Sequence, residues 1–459
     1  MNVGGYKHVY FVGIGGIGMS ALARYFIMRN VKVSGYDKTE TALTMKLVGE
    51  GIDITYEDNK EHLSEDIDLV VYTPAVPKEL GILQTLENRD IPVVKRAKLL
   101  GIISEQARTI AIAGTHGKTT TTSLVAHCLN DSGLEISAFL GGILTGYETN
   151  YFLGSSDWMV VEADEFDRSF HHLKPEIAIV NAMDADHLDI YGTQEKFTEA
   201  FFEFIMQMRK GGLLLLKEGV TEHFTVAQWT AIQEHVEVKV FGFGPDCDVK
   251  ISIDHYAMGG RPVFDLNQKT GNNFHELLFT LPGDHNVSNA SAAVLVCERV
   301  GLSEAQIKHS LAGFLGVKRR FERIVETEGK VYIDDYAHHP QEIKAVCKAI
   351  RDAYKGKQIL AIFQPHLYSR TRDFMVEFAE ALDGFDEILL LDIYPARELP
   401  IPGITSQALA EMMHKPVAVI SKNELIDSLR HKKYDVVLTT GAGDIDTQVT
   451  LIKKALESK

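Results

Sequence analysis

The chain has 459 residues, 45% of them apolar, which provides for two to four domains with real cores. A formal charge of −16 argues against an extended nucleic-acid surface, because phosphate contacts need clustered Lys and Arg; small anionic substrates remain open wherever local cations outweigh the global sign. No run approaches the ~18 consecutive apolar residues of a membrane span, the N-terminus shows no basic-then-apolar signal, and the four cysteines, Cys128, Cys247, Cys297 and Cys347, stand too far apart for a disulfide frame or zinc site. The expectation is a soluble cytoplasmic protein with buried thiols and no membrane or nucleic-acid partner.

Residues 8–12 read as a short apolar strand, followed by Gly13-Ile-Gly15-Gly16-Ile-Gly18 and then, over 19–28, apolar residues at helical spacing. The glycines stand in the context that a G-x-G-x-x-G fingerprint requires. A second strand over 31–37 ends in Asp37, about 20 residues past the glycines, as in dinucleotide-binding folds. Taken alone, the pattern points to NAD. Its physical content is narrower: backbone can approach a pyrophosphate at a helix N-terminus, which suits any diphosphate-linked nucleotide. Gly13, Gly15, Gly16, Gly18, Met19, Ser20 and Asp37 are the candidates. A buried strand over 69–73 ends in a Pro-framed loop, where Thr73 either meets a ligand or serves ordinary turn chemistry. Arg96, in a helical stretch after Pro92, could reach a phosphate, although a solvated face is the plainer expectation.

A β-like run over 109–113 feeds Gly114-Thr115-His116-Gly117-Lys118-Thr119-Thr120, and apolar residues at helical spacing follow. Strand, loop and helix in that order are what a phosphate-binding loop needs. Backbone N–H groups of the turn would face anionic oxygens, Lys118 would supply a compact positive charge, and the Thr119 hydroxyl could ligate Mg²⁺. Only Thr115 and His116 separate Gly114 from Gly117, fewer than the usual loop has. The flanking strand and helix still favour a grip on a nucleoside triphosphate over a chance Gly-Lys-Thr turn.

Further on, a buried strand ends in Glu162-Ala-Asp164-Glu165, and a second over 177–181 runs into Asp184-Ala-Asp186-His187. Two strand ends thereby deliver Glu162 and His187 toward one place. Acids beside a transferable phosphate hold Mg²⁺, since the metal neutralises charge that the protein cannot; His187 is a less natural ligand for that ion than an oxygen donor. The pair His171-His172 lacks a third ligand and reads as surface or packing. Several short β-like runs between 210 and 275 carry no evident chemistry. A long apolar helix then opens near 285, where Asn286 and Asn289 could hydrogen-bond a base edge, with N-capping by Asn286 as the structural alternative.

The stretch 314–323 breaks the helical rhythm and gathers Lys318, Arg319, Arg320 and Arg323, the pattern of an interdomain joint facing a nucleotide or of a solvated basic turn. Beyond it strands and helices alternate to the C-terminus, a second doubly wound unit. Polar clusters stand at its strand ends: Asp334-Asp335-Tyr336-Ala-His338-His339, Gln364-Pro-His366-Leu367-Tyr368-Ser-Arg370, Asp392-Ile-Tyr394 and Gly441-Ala-Gly443-Asp444. Together they define a site, with helix capping by Asp444 and packing by Tyr394 accounting for parts of it.

In order and spacing these motifs resemble those of the Mur ligases over nearly the whole chain: Gly13 to Ser20, Gly114 to Thr122, Glu162 to Glu165, Asp186-His187, His285 to Asn289, Arg319-Arg320-Phe, Asp334 to Pro340, Gln364 to His366 and Gly441 to Asp444. The resemblance implies an α/β protein of three domains: a Rossmann-like UDP-substrate domain over 1–106, a P-loop-type ATPase with a mostly parallel sheet over 107–318, and a doubly wound amino-acid domain over 319–459. It selects UDP over NAD for the first fingerprint. It further implies ATP-dependent joining of L-alanine to the lactyl carboxylate of UDP-N-acetylmuramate through an acyl phosphate, in peptidoglycan precursor synthesis, by a monomer or weak homodimer.

By the same resemblance Lys118, Glu162 and His187 would be catalytic. Thr119 and Glu162 would hold one Mg²⁺ and His187 a second, with Mn²⁺ able to substitute. Gly114 to Thr120 would cradle ATP, Asn286 and Asn289 would contact adenine, and Arg320 and Asp335 would meet the nucleotide on closure. Tyr336, His338, His366 and Arg370 would hold the alanine. Two departures stand out. Phe202 lies where related ligases carry a modified lysine, so no bridging group is expected, and Leu367 replaces the Arg of a Pro-His-Arg-Tyr stretch, so carboxylate recognition falls mainly to Arg370 and His338. A ligase attaching a whole tripeptide to the same sugar nucleotide is the nearest competing reading; an NAD-dependent oxidoreductase, resting on the first glycines and Asp37, is the competitor from another class.

Overall fold

The N-terminal sheet grows from β1 (His8–Val12), whose five residues are all buried. Parallel neighbours cover both its edges, β2 (Lys32–Tyr36) and β4 (Leu69–Tyr72), with β3 (Asp53–Thr55) and β5 (Val93–Lys95) outside them in the order β3-β2-β1-β4-β5. Parallel strands need crossovers, supplied by α1 (Ile17–Ile27), α2 (Ala42–Gly49) and α3 (Gly81–Glu87). The order reverses beside β1, the switch point at which such sheets leave a crevice, and the glycine turn occupies it. α4 (Arg96–Ser104) follows β5 directly.

The computed structural model describes residues 3–184, 191–327, 329–396, 398–430, 432 and 434–457, apart from the side chain of Asp167. Asp186 and His187 therefore lie outside the described residues.

The central sheet is built on β6 (Arg108–Ala113), followed by α5 (Lys118–Asp131). Its further strands are β7 (Ser137–Leu144), β8 (Thr149–Phe152), β9 (Trp158–Glu162) and β10 (Ile177–Val180), then, after α6 (Gln194–Met206), β11 (Leu213–Lys217). After α7 (Val226–His235) come β12 (Glu237–Gly242), β13 (Val249–Ala257), β14 (Arg261–Gln268) and β15 (Phe274–Leu278), and the order is β15-β14-β13-β12-β11-β10-β6-β9-β7-β8. The phosphate-loop strand β6 thus lies between β9 and β10, with Ile112 opposite Glu162 and Ala113 opposite Val180. Aromatic residues of α1, β7 and β8 close a continuous core: Tyr25, Phe139 and Tyr151 lie within 5.0–6.3 Å centroid to centroid. Helices α8 (Asp284–Val300) and α9 (Glu304–Gly313) complete the segment.

The C-terminal sheet takes the order β16-β17-β21-β18-β19-β20. Its elements in sequence are β16 (Glu322–Glu326), β17 (Val331–Asp335), α10 (Pro340–Ala353), β18 (Ile359–Phe363), α11 (Tyr368–Asp373), α12 (Met375–Leu382), β19 (Glu387–Leu390), α13 (Ser406–Ala410), β20 (Val417–Val419), α14 (Leu425–Arg430), β21 (Val436–Thr440) and α15 (Val449–Glu457). All pairings are parallel except that of β16, an antiparallel edge strand with an irregular register between Arg323 and Val325. Register places Asp335 and Phe363 both opposite Thr440, so three strands end level with one another. Internal contacts gather the chain into two units, Met1–Ser252, Asp265–Leu277 and Ser288–Phe314 in the first, and Ile253–Phe264, Leu278–Val287 and Leu315–Lys459 in the second. Among the described residues no helix is long and apolar enough to cross a membrane.

Candidate active site

In the first glycine turn Gly13 takes φ +85°, and the N–H groups of Gly13 and Ile14 both donate to the Tyr36 carbonyl, at 2.8 and 3.0 Å. The Asp37 carboxylate accepts from the Gly15 N–H at 2.7 Å, so the acid after β2 fixes the turn itself. α1 starts at Gly16 without a side-chain cap, which leaves first-turn N–H groups for an anion. The Met19 side chain is buried in the core, so Met19 can offer a ligand only backbone. Ser20 donates to the Ile17 carbonyl and accepts from Asn150 Nδ2 at 3.0 Å. Thr73 leans on the turn: a Cβ on Gly13 would lie 2.8 Å from Thr73 Cγ2, and its hydroxyl accepts from the Ala75 N–H.

Asn150 and Arg24 were not legible as part of this site. Asn150, fully buried on β8, also donates to the Ile17 carbonyl at 2.6 Å and accepts from Arg24, whose guanidinium forks onto Glu50 at 2.7 and 2.8 Å. A strand of the central sheet thereby pins the first turn of α1. The solvated face expected for Arg96 is not found. Its side chain is only 20% exposed, reaches Asp164 at 3.6 Å, and lies where a Cβ on Gly18 would meet Nη1 at 2.9 Å. The reason is topological: β5 and β1 are parallel, so a helix starting at the end of β5 opens on the edge that carries the glycine turn.

The phosphate loop leaves β6 through Gly114 (φ +123°), where a Cβ would stand 2.8–3.0 Å from the backbone of Asn181 and Ala182. Gly117 (φ +79°) is the N-cap of α5 and offers no side chain; a Cβ there would meet Asn289 Oδ1 at 2.7 Å. Thr115 accepts from the Asp184 N–H, His116 Nε2 lies 3.7 Å from Asp184, and Thr119 and Thr120 are buried in the first turn of α5. Lys118 Nζ donates to the Gly114 carbonyl at 2.7 Å and to Glu165 Oε1 at 2.8 Å. Burial works against its ammonium, but the carboxylates of Glu165, Glu162 and Asp164 outweigh that and raise its pKa. Glu162 closes β9, and Gly141 makes room for it: a Cβ on Gly141 would lie 2.0 Å from Glu162 Oε2. Glu165 stands among the acids read after this strand, but its pairing with Lys118, and the room that Gly141 leaves for Glu162, are contributions that motif spacing did not show.

In the second unit the ends of β17, β18 and β21 form a rim. Asp335 accepts from the Phe321 N–H at 2.6 Å and the Ala337 N–H at 2.8 Å, so its carboxylate folds the basic turn back; burial pushes its pKa up to about 6 against the pull of Arg320. Arg319 pairs with Asp334 and donates to the Gly441 carbonyl, while Arg320 lies 5.1 Å from the Tyr336 ring. His338 Nδ1 donates to the Tyr336 carbonyl at 2.9 Å, leaving Nε2 as an acceptor, and burial lowers its pKa. Burial, His338 and Arg370 push His366 down to about 4. Tyr336, His338, His366 and Tyr394 follow one another at 5.2, 6.2 and 5.7 Å between ring centroids, the last two stacked. His366 Nδ1, Arg370 Nη1 and Gln364 Oε1 are buried and have no hydrogen-bond partner among the described residues.

The structure thus gathers Lys118, Glu162 and Asn289 with the phosphate loop in the first unit, and Tyr336, His338, His366 and Arg370 in the second. Asn286 does not cap its helix: α8 begins at Asp284, and Asn286, already within its first turn, donates to the Pro282 carbonyl at 2.8 Å. Capping by Asp444 is likewise not its main contact, since its carboxylate takes Gln364 Nε2 and Lys422 Nζ. Among the described residues no group of three or more His, Cys, Asp or Glu could hold a metal ion.

Three family models match the chain: "Mur ligase family, catalytic domain" over residues 8–108, "Mur ligase middle domain" over 112–297 and "Mur ligase, glutamate ligase domain" over 319–443. A UDP-N-acetylmuramate–L-alanine ligase of Cytophaga hutchinsonii is 44% identical over 470 aligned positions, covering 100% of this chain and 99% of its own. The crystal structure of the UDP-N-acetylmuramate-alanine ligase of Thermotoga maritima superposes with a TM-score of 0.84 at 27% identity, covering 98% of this chain and 100% of that one. A murein peptide ligase of Psychrobacter arcticus shares the fold at TM-score 0.71 and 21% identity, covering 99% of each chain.

Proposed function

The chain belongs to the Mur ligase family, and from that premise we propose that it joins L-alanine to the lactyl carboxylate of UDP-N-acetylmuramate at the expense of ATP, in the cytoplasm, as a step of peptidoglycan precursor synthesis. The γ-phosphoryl group passes to the lactyl carboxylate, giving an acyl phosphate and ADP. The amine of L-alanine attacks the acyl carbon, the tetrahedral intermediate expels phosphate, and an amide remains. Domains over 1–106, 107–318 and 319–459 would present the sugar nucleotide, ATP and the amino acid respectively.

The observation that carries the amino-acid half is the buried Arg370 Nη1, which has no acceptor among the described residues. A buried guanidinium nitrogen left so is costly, and a substrate carboxylate would satisfy it. The neutral imidazoles of His338 and His366 can accept the proton that the alanine ammonium must lose before attack. On the nucleotide half, uncapped N–H groups of α5 and the Lys118 ammonium would compensate the phosphate charge, and Gly15 to Ser20 would do the same for the UDP diphosphate. Thr119 and Glu162 are oxygen donors of the kind Mg²⁺ prefers, with Gly141 leaving space around the carboxylate, so the pair fits that ion. Bound there, Mg²⁺ would neutralise charge on the transferring phosphoryl group. Asn289 against Gly117 suits an adenine contact beside the loop.

Phosphate release from ATP is measured with UDP-N-acetylmuramate and, in turn, L-alanine, glycine, L-serine and the tripeptide. Release is expected only with the sugar nucleotide plus a small L-amino acid, and Lys118→Ala abolishes it. Release with the tripeptide alone overturns the choice of amino acid, and turnover of NAD overturns the reaction class.

A further inference from the structure

Arg370 stands on α11, a helix of six residues. So short a helix has no stability of its own, and whatever holds its first turn decides where Arg370 points. Leu367 at the N-cap gives no side-chain cap and takes φ +70°, a left-handed conformation uncommon for a residue with a side chain.

The loop after β19 supplies what the sequence of α11 lacks. The Leu367 N–H donates to the Tyr394 carbonyl at 2.9 Å, and the Tyr394 N–H donates to the Pro365 carbonyl at 2.8 Å. The Tyr394 ring stacks on His366, tilted by 13°. Four residues on, the Glu398 carboxylate accepts from the Ser369 N–H at 2.9 Å and from the Ser369 hydroxyl. Partial burial works against that carboxylate, but its hydrogen bonds to Ser369 and the backbone of Tyr368, with His366 nearby, hold its pKa below the ordinary value. A carboxylate on the first N–H groups of a helix is the favourable sign for the helix dipole. Ser369 immediately precedes Arg370, so the cap fixes the backbone from which the guanidinium projects.

We infer that Glu398 is a positioning residue for the amino-acid substrate: by capping the first turn of α11 it aims the Arg370 guanidinium, with His366 held alongside, at the substrate carboxylate. This rests on the reading of the rim as the amino-acid site. Glu398 itself touches no reacting atom; it acts through Arg370.

The test uses the full chain and phosphate release, with each substrate varied in turn. In Glu398→Ala the KM for L-alanine is expected to rise about tenfold while kcat falls by less than about threefold and the KM values for ATP and UDP-N-acetylmuramate stay within about twofold. Glu398→Gln, which keeps an oxygen for the Ser369 N–H, recovers most of the alanine KM. In an Arg370→Ala background, Glu398→Ala adds less than about twofold to the alanine KM, because the group it positions is gone. An unchanged alanine KM in Glu398→Ala, an equal rise in all three KM values, or the full penalty persisting without Arg370 overturns the positioning role and leaves the proposed reaction standing. A wild-type enzyme that releases no phosphate with L-alanine overturns the reaction itself. Should Glu398→Ala not fold, Ser369→Ala removes only the hydroxyl contact; a rise of about two- to fivefold in the alanine KM supports the inference, and no rise counts against it.

Discussion

Replacing Glu165 by Ala removes the carboxylate partner of Lys118. Nζ and Oε1 are 2.8 Å apart, with the two side chains 15% and 1% exposed, so water screens the pair little. Taking away one member of a buried pair costs about 3–5 kcal/mol, because the remaining charge keeps its desolvation penalty and loses its compensation. The loss is tempered here: the Gly114 carbonyl still accepts from Nζ at 2.7 Å, and Glu162 and Asp164 still favour the ammonium. The lower end, about 3 kcal/mol, is therefore expected. At about 2.1 cal/mol/K per residue, a unit of this size (Met1–Ser252, Asp265–Leu277 and Ser288–Phe314) has an unfolding entropy of about 0.6 kcal/mol/K, so its thermal midpoint falls by about 5 °C. Glu165→Gln, which keeps an oxygen at the same place, should lose less. Nucleotide should recover part of the deficit, since a ligand that binds only the folded chain raises its stability, and phosphate oxygens offer Lys118 a new counter-charge. Differential scanning calorimetry with and without Mg-ATP measures both effects. A nucleotide-free midpoint within about 1 °C of wild type refutes the reasoning, because a formed pair at that depth cannot be removed so cheaply.

Two further outcomes follow from the geometry. Asp335 is held up at about 6 against an ordinary 3.8, so between those values the folded chain keeps a proton that the unfolded chain has released. Stability from this group is complete below about pH 4 and is lost as pH rises through about 6, a change of about 3 kcal/mol. In Asp335→Asn nothing titrates, so the wild-type-minus-variant difference in urea unfolding free energy should fall by about 2–3 kcal/mol from pH 4 to pH 7; parallel curves rule the shift out. In Gly141→Ala the added methyl would stand 2.0 Å from Glu162 Oε2, so the carboxylate must move. Phosphate release should drop by about 100-fold or more, and wild-type activity would show that Glu162 has no fixed role.

Much of the fold is legible because each parallel strand is a short apolar run ending in polar residues, and each crossover helix reads at its own period. β1, β2 and β4 of the first sheet and the strands ending at Asp335, Phe363 and Thr440 are examples, whereas β3 (Asp53–Thr55) and β5 (Val93–Lys95), three residues each and partly exposed, carry too short a pattern to read. β16 is not. Glu322-Arg-Ile-Val-Glu reads as the tail of a basic joint, and only the free edge of β17 makes it an antiparallel strand. Nor does any local pattern show that Tyr25 on α1 packs on Phe139 and Tyr151; three aromatic residues spread over more than a hundred positions merge two sheets into one unit. Shared cores are long-range facts, and sequence periodicity is a local one.

The site divides along the same line, and helix starts show how. Five helices, α2, α6, α7, α9 and α13, begin on their own Thr41, Thr193, Thr225, Ser303 and Thr405, each satisfying a first-turn N–H from within its own segment. Such caps can be read from spacing. The helices next to the proposed ligands do otherwise: α1 and α5 start on Gly16 and Gly117 with no side chain to offer, and α11 starts on Leu367. Their glycines and their Lys or Arg are legible as motifs, because a phosphate or carboxylate needs those groups. What holds the motif in place comes from far along the chain: Asn150 for α1, Glu398 for α11 and, for Lys118, Glu165, whose own motif is legible but whose pairing with the lysine is not. A helix that keeps its first N–H groups for a substrate cannot spend its own side chain on them, so its support must come from elsewhere, and that support is the part a motif cannot spell.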